Sequence, residues 1–246
     1  MSDFWSLIVL TSLGSLAGLV GAAAFLLIKS WTAFLARYSI PFAAGVFLTV
    51  ALVGVLPEAL ELSGPEVLFT TLGAFLAAYI LEAFAVDVHH HDDPDHDHLH
   101  SHSTKLVIIG DTIHNFLDGV AISAAYLANP GLGLITALST FFHEVPHEIG
   151  DFGILLKAGW RRLHIVGINL ISAGFTFFGV FLVFVYSPSE RLQAHLLAAT
   201  AGIFLYLCAV DFLPQSQKSG TKKQAFSALI FGVILMLVVI LLTPQH

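Results

Sequence analysis

The stretch LVIIGDTIHNFLDGVAISAAYLANPGLGLITALSTFFHEVPHEIGDFGILL, residues 106–156, decides the fold. It reads as two long apolar segments, 106–128 and 132–156, joined by the turn Asn129-Pro130-Gly131. Each is long enough to cross about 30 Å of hydrocarbon as a helix. Each also carries acids and histidines. Ionisable groups are costly inside a span and mark a pathway or a site.

The same reading extends outward in both directions. Further spans are expected near 5–28, 38–56, 67–86, 164–186, 192–212 and 224–242, which makes eight. Short turns such as Ser63-Gly64-Pro65 and Ser187-Pro188-Ser189 separate them. Composition agrees. Hydrophobic residues make up 57% of the 246 and charged residues 11%, against about 25% charged in a soluble domain. The fold class is therefore an all-α, polytopic, integral membrane protein, a single transmembrane domain over residues 1–246 surrounded by lipid. The start of the chain has no basic region or small-residue cleavage site and reads as the lead into a permanent first span. The net charge of −7 leaves no basic face, so a nucleic-acid partner is excluded. The lone Cys208 rules out a disulfide framework or thiolate cage within the chain. Trp5, Trp31 and Trp160 stand near span ends and read as interfacial anchors.

Basic residues report direction. Lys29, Arg37, Lys105, Lys157, Arg161, Arg162, Lys218, Lys222 and Lys223 all fall on odd-numbered connections, and only Arg191 falls on the other side. The positive-inside rule places the odd connections in the cytoplasm and both termini outside. Plasma and organelle membranes both fit this arrangement.

The second span reads AGVFLTVALVGVLPEA from Ala44, and the seventh reads AGIFLYLCAVDFLPQS from Ala201, a constant offset of 157. The same offset lays the first span over the sixth, with Ser15 over Ser172, and the third over the eighth. The offset covers five helices, so matching helices run in opposite directions. Inverted three-helix repeats, helices 1–3 and 6–8, are expected around the central pair 4 and 5, an arrangement that suits alternating access.

His114 and Asp118 are four residues apart, as are His143 and His147, so each pair shares a helix face. Packed together, the two helices bring four nitrogen and oxygen ligands to one place. That mixture suits Zn²⁺ and also iron, manganese, cobalt or nickel. Asn115 and Glu144 each follow a histidine and could complete a second, adjacent site bridged by Asp118 and His147. Asp111, Glu148 and Asp151 continue these faces as a path, or orient the imidazoles by hydrogen bonds. Asp211 in the seventh span is a further path candidate. Glu58 and Gln215 follow prolines and could shape opposite mouths, while Glu82 snorkels or faces the interior. Pro146 cannot donate to the carbonyl of Phe142, which leaves that carbonyl to a cavity or an ion.

The third connection, residues 87–104, holds His89, His90, His91, His96, His98, His100 and His102 among five aspartates. It has too few apolar residues to fold, so a disordered cytoplasmic loop is expected. Its neutral imidazoles would bind ions loosely and exchange them readily.

HNFLDG (114–119) and HEVPHEIGDF (143–152), with eight spans and a histidine-rich third connection, resemble the ZIP (ZRT/IRT-like protein) metal transporters, in their LIV-1-type branch. The resemblance covers essentially the whole chain. It implies zinc, sometimes iron, manganese or cadmium, moved toward the cytoplasm, and commonly a homodimer. It implies a binuclear centre with His114, Asp118, His143 and His147 as one site. Asn115, Asp118, Glu144 and His147 would contribute to the other. Two departures are visible. Val53-Gly54-Val55-Leu56 lacks a ligand before Pro57-Glu58, and the seventh span has Pro214-Gln215 rather than Pro-Glu. No large extracellular domain is expected before the first span.

His143-Glu144-Val145-Pro146-His147 also fits H-E-x-x-H, and Leu117-Asp118-Gly119 resembles the third-ligand motif of intramembrane zinc proteases. There Glu144 would activate water on a zinc held by His143, His147 and Asp118. The order of the two motifs is reversed from the protease order, and His114 and Asn115 would have no task. A metal sensor that binds without flux is a third reading.

Overall fold

The computed structural model describes residues 2–20, 29–87, 96–216 and 221–244. Among the described residues the chain forms eight helical rods and no strand. α1 is Ser2–Thr11, continued by a π turn at Ser12–Leu16. α2 runs Lys29–Thr49, passes through a π turn at Val50–Val55 and ends as Leu56–Ser63. α3 is Val67–Asp87, α4 His96–Ala128, α5 Pro130–Lys157 and α6 Arg162–Tyr186. α7 runs Glu190–Tyr206, a π turn at Leu207–Phe212, then Leu213–Ser216. α8 is Lys222–Leu242.

Local chemistry sets the boundaries. Gly64 ends α2 at a φ of 77°, a left-handed value that favours glycine. Asn129 caps α5, accepting from the backbone N–H groups of Gly131 and Leu132 at 2.8 and 3.2 Å, with Pro130 in the first turn. Thr221 and Gln224 form a capping box at the start of α8. α4 begins ten residues earlier than the apolar pattern, so His96, His98, His100 and His102 lie on its first turns. His89, His90 and His91 lie outside the described residues.

Among the described residues five segments are long and apolar enough to cross a membrane, Asp3–Val20, Arg37–Ser63, Arg162–Tyr186, Glu190–Ser216 and Lys222–Leu242. Val67–Ala83 is a shorter apolar helix. α4 and α5 are less apolar because they carry acids, histidines and amides in mid-helix. The protein is an all-α polytopic membrane protein. Its outward side chains fit lipid, as Phe69, Leu163, Phe231 and Leu241 are all more than half exposed.

The rods alternate in direction. At one end Tyr126 donates to Asp3, Phe4 packs on Phe184, and Arg191 pairs with Glu66 at 3.1 Å. At the other end Trp160 packs with Leu19, Phe152 and Ile165. Two packing groups result. α1, α4, α5 and α6 share cores around Leu7, Ile122, Ala137 and Val180, and around Leu19, Phe152 and Ile165. α2, α7 and α8 share the largest core, around Phe47, Ala201, Phe204 and Met236. α3 packs along α7, and α2 along α8. α4 and α6 approach so closely that a Cβ at Gly119 would overlap the Thr176 carbonyl. The metal-ligand candidates lie where the two groups meet.

Candidate metal centre

α4 presents His114 and Asp118 on one face, and α5 presents His143 and Glu144 against them. His143 is fully buried, and its Nδ1–H donates to the Ser139 carbonyl at 2.9 Å. That bond leaves the lone pair of the neutral ring on Nε2. Nε2 then faces His114 Nε2 at 3.1 Å, Asp118 Oδ2 at 3.0 Å and Glu144 Oε1 at 3.7 Å. His114 Nε2 lies 3.8 Å from Asp118 Oδ2 and 3.5 Å from Glu144 Oε1. Acceptor atoms this close repel unless a proton or a cation stands among them. Glu144 Oε1 is buried with no hydrogen-bond donor. Zinc at about 2.0–2.1 Å from four N/O ligands in a tetrahedron spaces those ligands about 3.3–3.4 Å apart. The five separations, 3.0 to 3.8 Å, bracket that spacing.

Two phenyl rings seal the His143 side of this group. Phe47 stacks on His143 with centroids 4.4 Å apart, and Phe204 lies edge-on at 6.1 Å. They belong to α2 and α7, so each packing group supplies part of the site.

A second group adjoins the first. The His147 ring stacks on His114 at 4.8 Å and 17°, and its Nδ1 points to Asp151 Oδ2 at 3.7 Å. Asp111, His147 and Asp151 can offer three ligand atoms to one ion. This group is wetter, with His147 25% and Asp151 14% exposed. It opens on a cavity of about 320 Å³ lined also by Asp211, Gln215, Ser39 and Ile40. A smaller cavity of about 90 Å³ touches His114 and Asp118 between α4 and the first half of α7.

The structure thus gathers the expected residues and divides them differently from the ligand sets that the resemblance implied. Glu144, and not His147, completes the first group. The cause is the parallel stacking of the two imidazoles, which turns His147 toward Asp151. Asn115 lies beside the second group, with its amide engaged at both ends. Its amide nitrogen donates to Asp111 Oδ1 at 2.9 Å, and its oxygen accepts from Thr176 at 2.9 Å. Glu148 accepts from Asn169 at 2.5 Å. Asp211 accepts from Gln215 beside the larger cavity, and Glu82 accepts from Tyr206.

Sequence reasoning missed Asn169, Ser172 and Thr176 as supports, and Phe47 and Phe204 as the seal. The first three are a polar stripe at helical spacing in an otherwise apolar span, which is a readable signal. Phe47 and Phe204 gave none, since phenylalanine in a span is ordinary.

Residues 89–240 match the family described as ZIP Zinc transporter. The chain belongs to that family. Zinc transporter ZIP4 of Homo sapiens is 41% identical over 113 residues, 46% of this chain and 18% of its own length. Zinc transporter ZIP10 of Homo sapiens is 43% identical over 111 residues, 45% of this chain and 13% of its own. Zinc transporter foi of Drosophila melanogaster is 37% identical over 129 residues, 52% and 18% respectively. Similarity to ZIP4, ZIP6 and ZIP10 places the chain in the LIV-1-type branch of the ZIP family. The matched stretch spans less than a fifth of each relative. A zinc protease fits the geometry less well. It needs the H-E-x-x-H histidines on one metal and the glutamate off it, whereas here His143 and His147 fall in different groups and Glu144 stands among the ligand atoms.

Proposed function

We propose that the protein carries divalent transition-metal ions, zinc foremost, across a membrane toward the cytoplasm through a binuclear centre between α4 and α5. One observation carries this reading. Four ligand atoms from two adjacent helices stand at zinc-sized separations inside a bundle whose outer surface suits lipid. The first ion position is His114, Asp118, His143 and Glu144. The second is Asp111, His147 and Asp151, with Asn115 holding Asp111 and Glu148 held by Asn169. Asp211 lines the way out. The activity is transport and not catalysis, as family membership supports. Iron, manganese, cobalt, nickel and cadmium are further cargoes that nitrogen and oxygen ligands would accept.

The carrier has eight spans built as inverted repeats, helices 1–3 and 6–8. Two features support this. The π turns Val50–Val55 and Leu207–Phe212 differ by the same 157 positions as the sequence match, and each precedes Leu-Pro. Packing also exchanges as a twofold axis in the membrane plane requires, α2 with α8 and α7 with α3. Both termini are outside, and the basic connections face the cytoplasm. The plasma membrane or an organelle membrane would house it, as a homodimer. The histidine-rich connection, 87–104, buffers ions arriving at the cytoplasmic end.

Metal-resolved uptake into proteoliposomes tests the reading. Zinc should accumulate in liposomes with the unaltered protein and not with Asp118→Ala. Equal accumulation in both would remove the site assignment.

A further inference from the structure

Where α2, α5 and α8 meet on the lipid side, a groove of about 510 Å³ is lined by Phe42, Phe141, Phe142, Val145, Ala228 and Phe231. It is almost wholly apolar, and Phe231 is 60% exposed beside it. Polar residues gather at one end only. Tyr38 and Ser39 lie one turn before Phe42 on α2, and Ser227 lies one turn before Phe231 on α8. Beyond them stand exposed Arg37, Lys222 and Lys223, with Lys223 one turn before Ser227 on the groove face. Lys223 and Phe231 are about 12 Å apart along the helix axis. The groove is therefore an apolar slot with a cationic rim at its membrane-surface end.

We propose that this groove holds an anionic phospholipid, with one acyl chain against Phe42, Phe142 and Phe231 and the phosphate between Arg37 and Lys223. Charge selects this occupant. Two copies of the chain packed face to face here about a twofold axis would set identical cations against each other. A lipid phosphate instead gains about a five-fold preference per basic residue at an anionic surface. The place matters for the site. Phe142 directly precedes His143, and its ring packs on Phe42 at 5.2 Å. Pro146 follows Val145 and leaves the Phe142 carbonyl without its helical donor. An acyl chain in the groove bears on the turn of α5 that aims the ligands.

The proposal rests on the membrane-spanning reading but not on zinc movement, so its test uses no metal. The full chain is placed in phosphatidylcholine nanodiscs. A trace of phosphatidylglycerol or phosphatidylcholine bearing an acyl-chain diazirine is added and photolysed, and adducts are mapped by mass spectrometry. The phosphatidylglycerol probe should label Phe142, Val145 or Phe231 more strongly than the phosphatidylcholine probe. Arg37→Gln with Lys223→Gln, two surface changes that spare the core, should lower that labelling about twenty-fold. Ala228→Trp, which fills the slot, should abolish it. Equal labelling by the two probes, or labelling unmoved by the charge changes, would overturn the proposal. So would Phe142, Val145 and Phe231 left unlabelled by either probe.

Discussion

The two ligand groups between α4 and α5 are built from the same residue types and share a stacked pair of imidazoles, yet their surroundings are opposite. His114, Asp118, His143 and Glu144 are packed beneath Phe47 and Phe204, with His143 fully buried and fixed through Ser139. In the group of Asp111, His147 and Asp151, the buried Asp111 is joined by two residues, His147 and Asp151, that open onto a cavity of about 320 Å³ which Asp211 and Gln215 also line. Ligand identity does not separate them. Access to water does, because dehydrated carboxylates and imidazoles attract a cation far more strongly than hydrated ones. The sealed group is suited to hold an ion, and the open group to release it.

Removing the seal's central ligand should do most damage. His143→Ala should lower zinc uptake by more than about 100-fold and remove zinc from the sealed group, since an inner ligand matters more than an outer partner worth about 10–100-fold. Uptake assays paired with equilibrium dialysis check both. His147→Ala should sharpen the contrast. Uptake should fall at least about ten-fold while one zinc per chain still binds within about ten-fold of the original affinity. Loss of both together would merge the two groups into one. Next comes Asn115→Ala, which frees Asp111 from its amide donor and should cost about ten-fold in uptake with normal membrane insertion. At Gly18 a Cβ would stand 2.6 Å from the Glu144 Cβ. Gly18→Val should therefore destabilise by about 1–3 kcal/mol in thermal unfolding and displace Glu144 from the sealed group. The smallest effect belongs to the histidine-rich connection. Changing His89, His90, His91, His96, His98, His100 and His102 to Ser should alter initial uptake by less than about two-fold, because loosely held ions there feed a site they do not build.

Much of this was legible in the sequence for a physical reason. Lipid imposes length and apolarity on a span, so helices such as 67–87 and 162–186 appeared nearly at their observed bounds. A polar group in a span is costly enough to be conspicuous, so His114, Asp118, His143 and Glu144 stood out against their neighbours. Spacing alone did not say which ligands share an ion. Helical periodicity puts His143 and His147 on one face, but a ring's rotamer decides where its nitrogen points, and stacking on His114 turned His147 toward Asp151. The start of α4 was hidden because a histidine- and aspartate-rich sequence has no apolar periodicity to reveal a helix. The π turns were also silent as such, although the repeated Leu-Pro after each showed that the two places correspond.

The most direct test is zinc K-edge X-ray absorption on the purified protein in lipid with one equivalent of zinc. Four nitrogen and oxygen ligands at about 2.0–2.1 Å, two of them imidazoles, are expected, with the imidazole scattering cut to at most one ring, that of His147, by His114→Ala with His143→Ala and kept at two in His147→Ala. A spectrum unchanged by the first pair, or one that loses its imidazoles with His147 alone, would contradict the account.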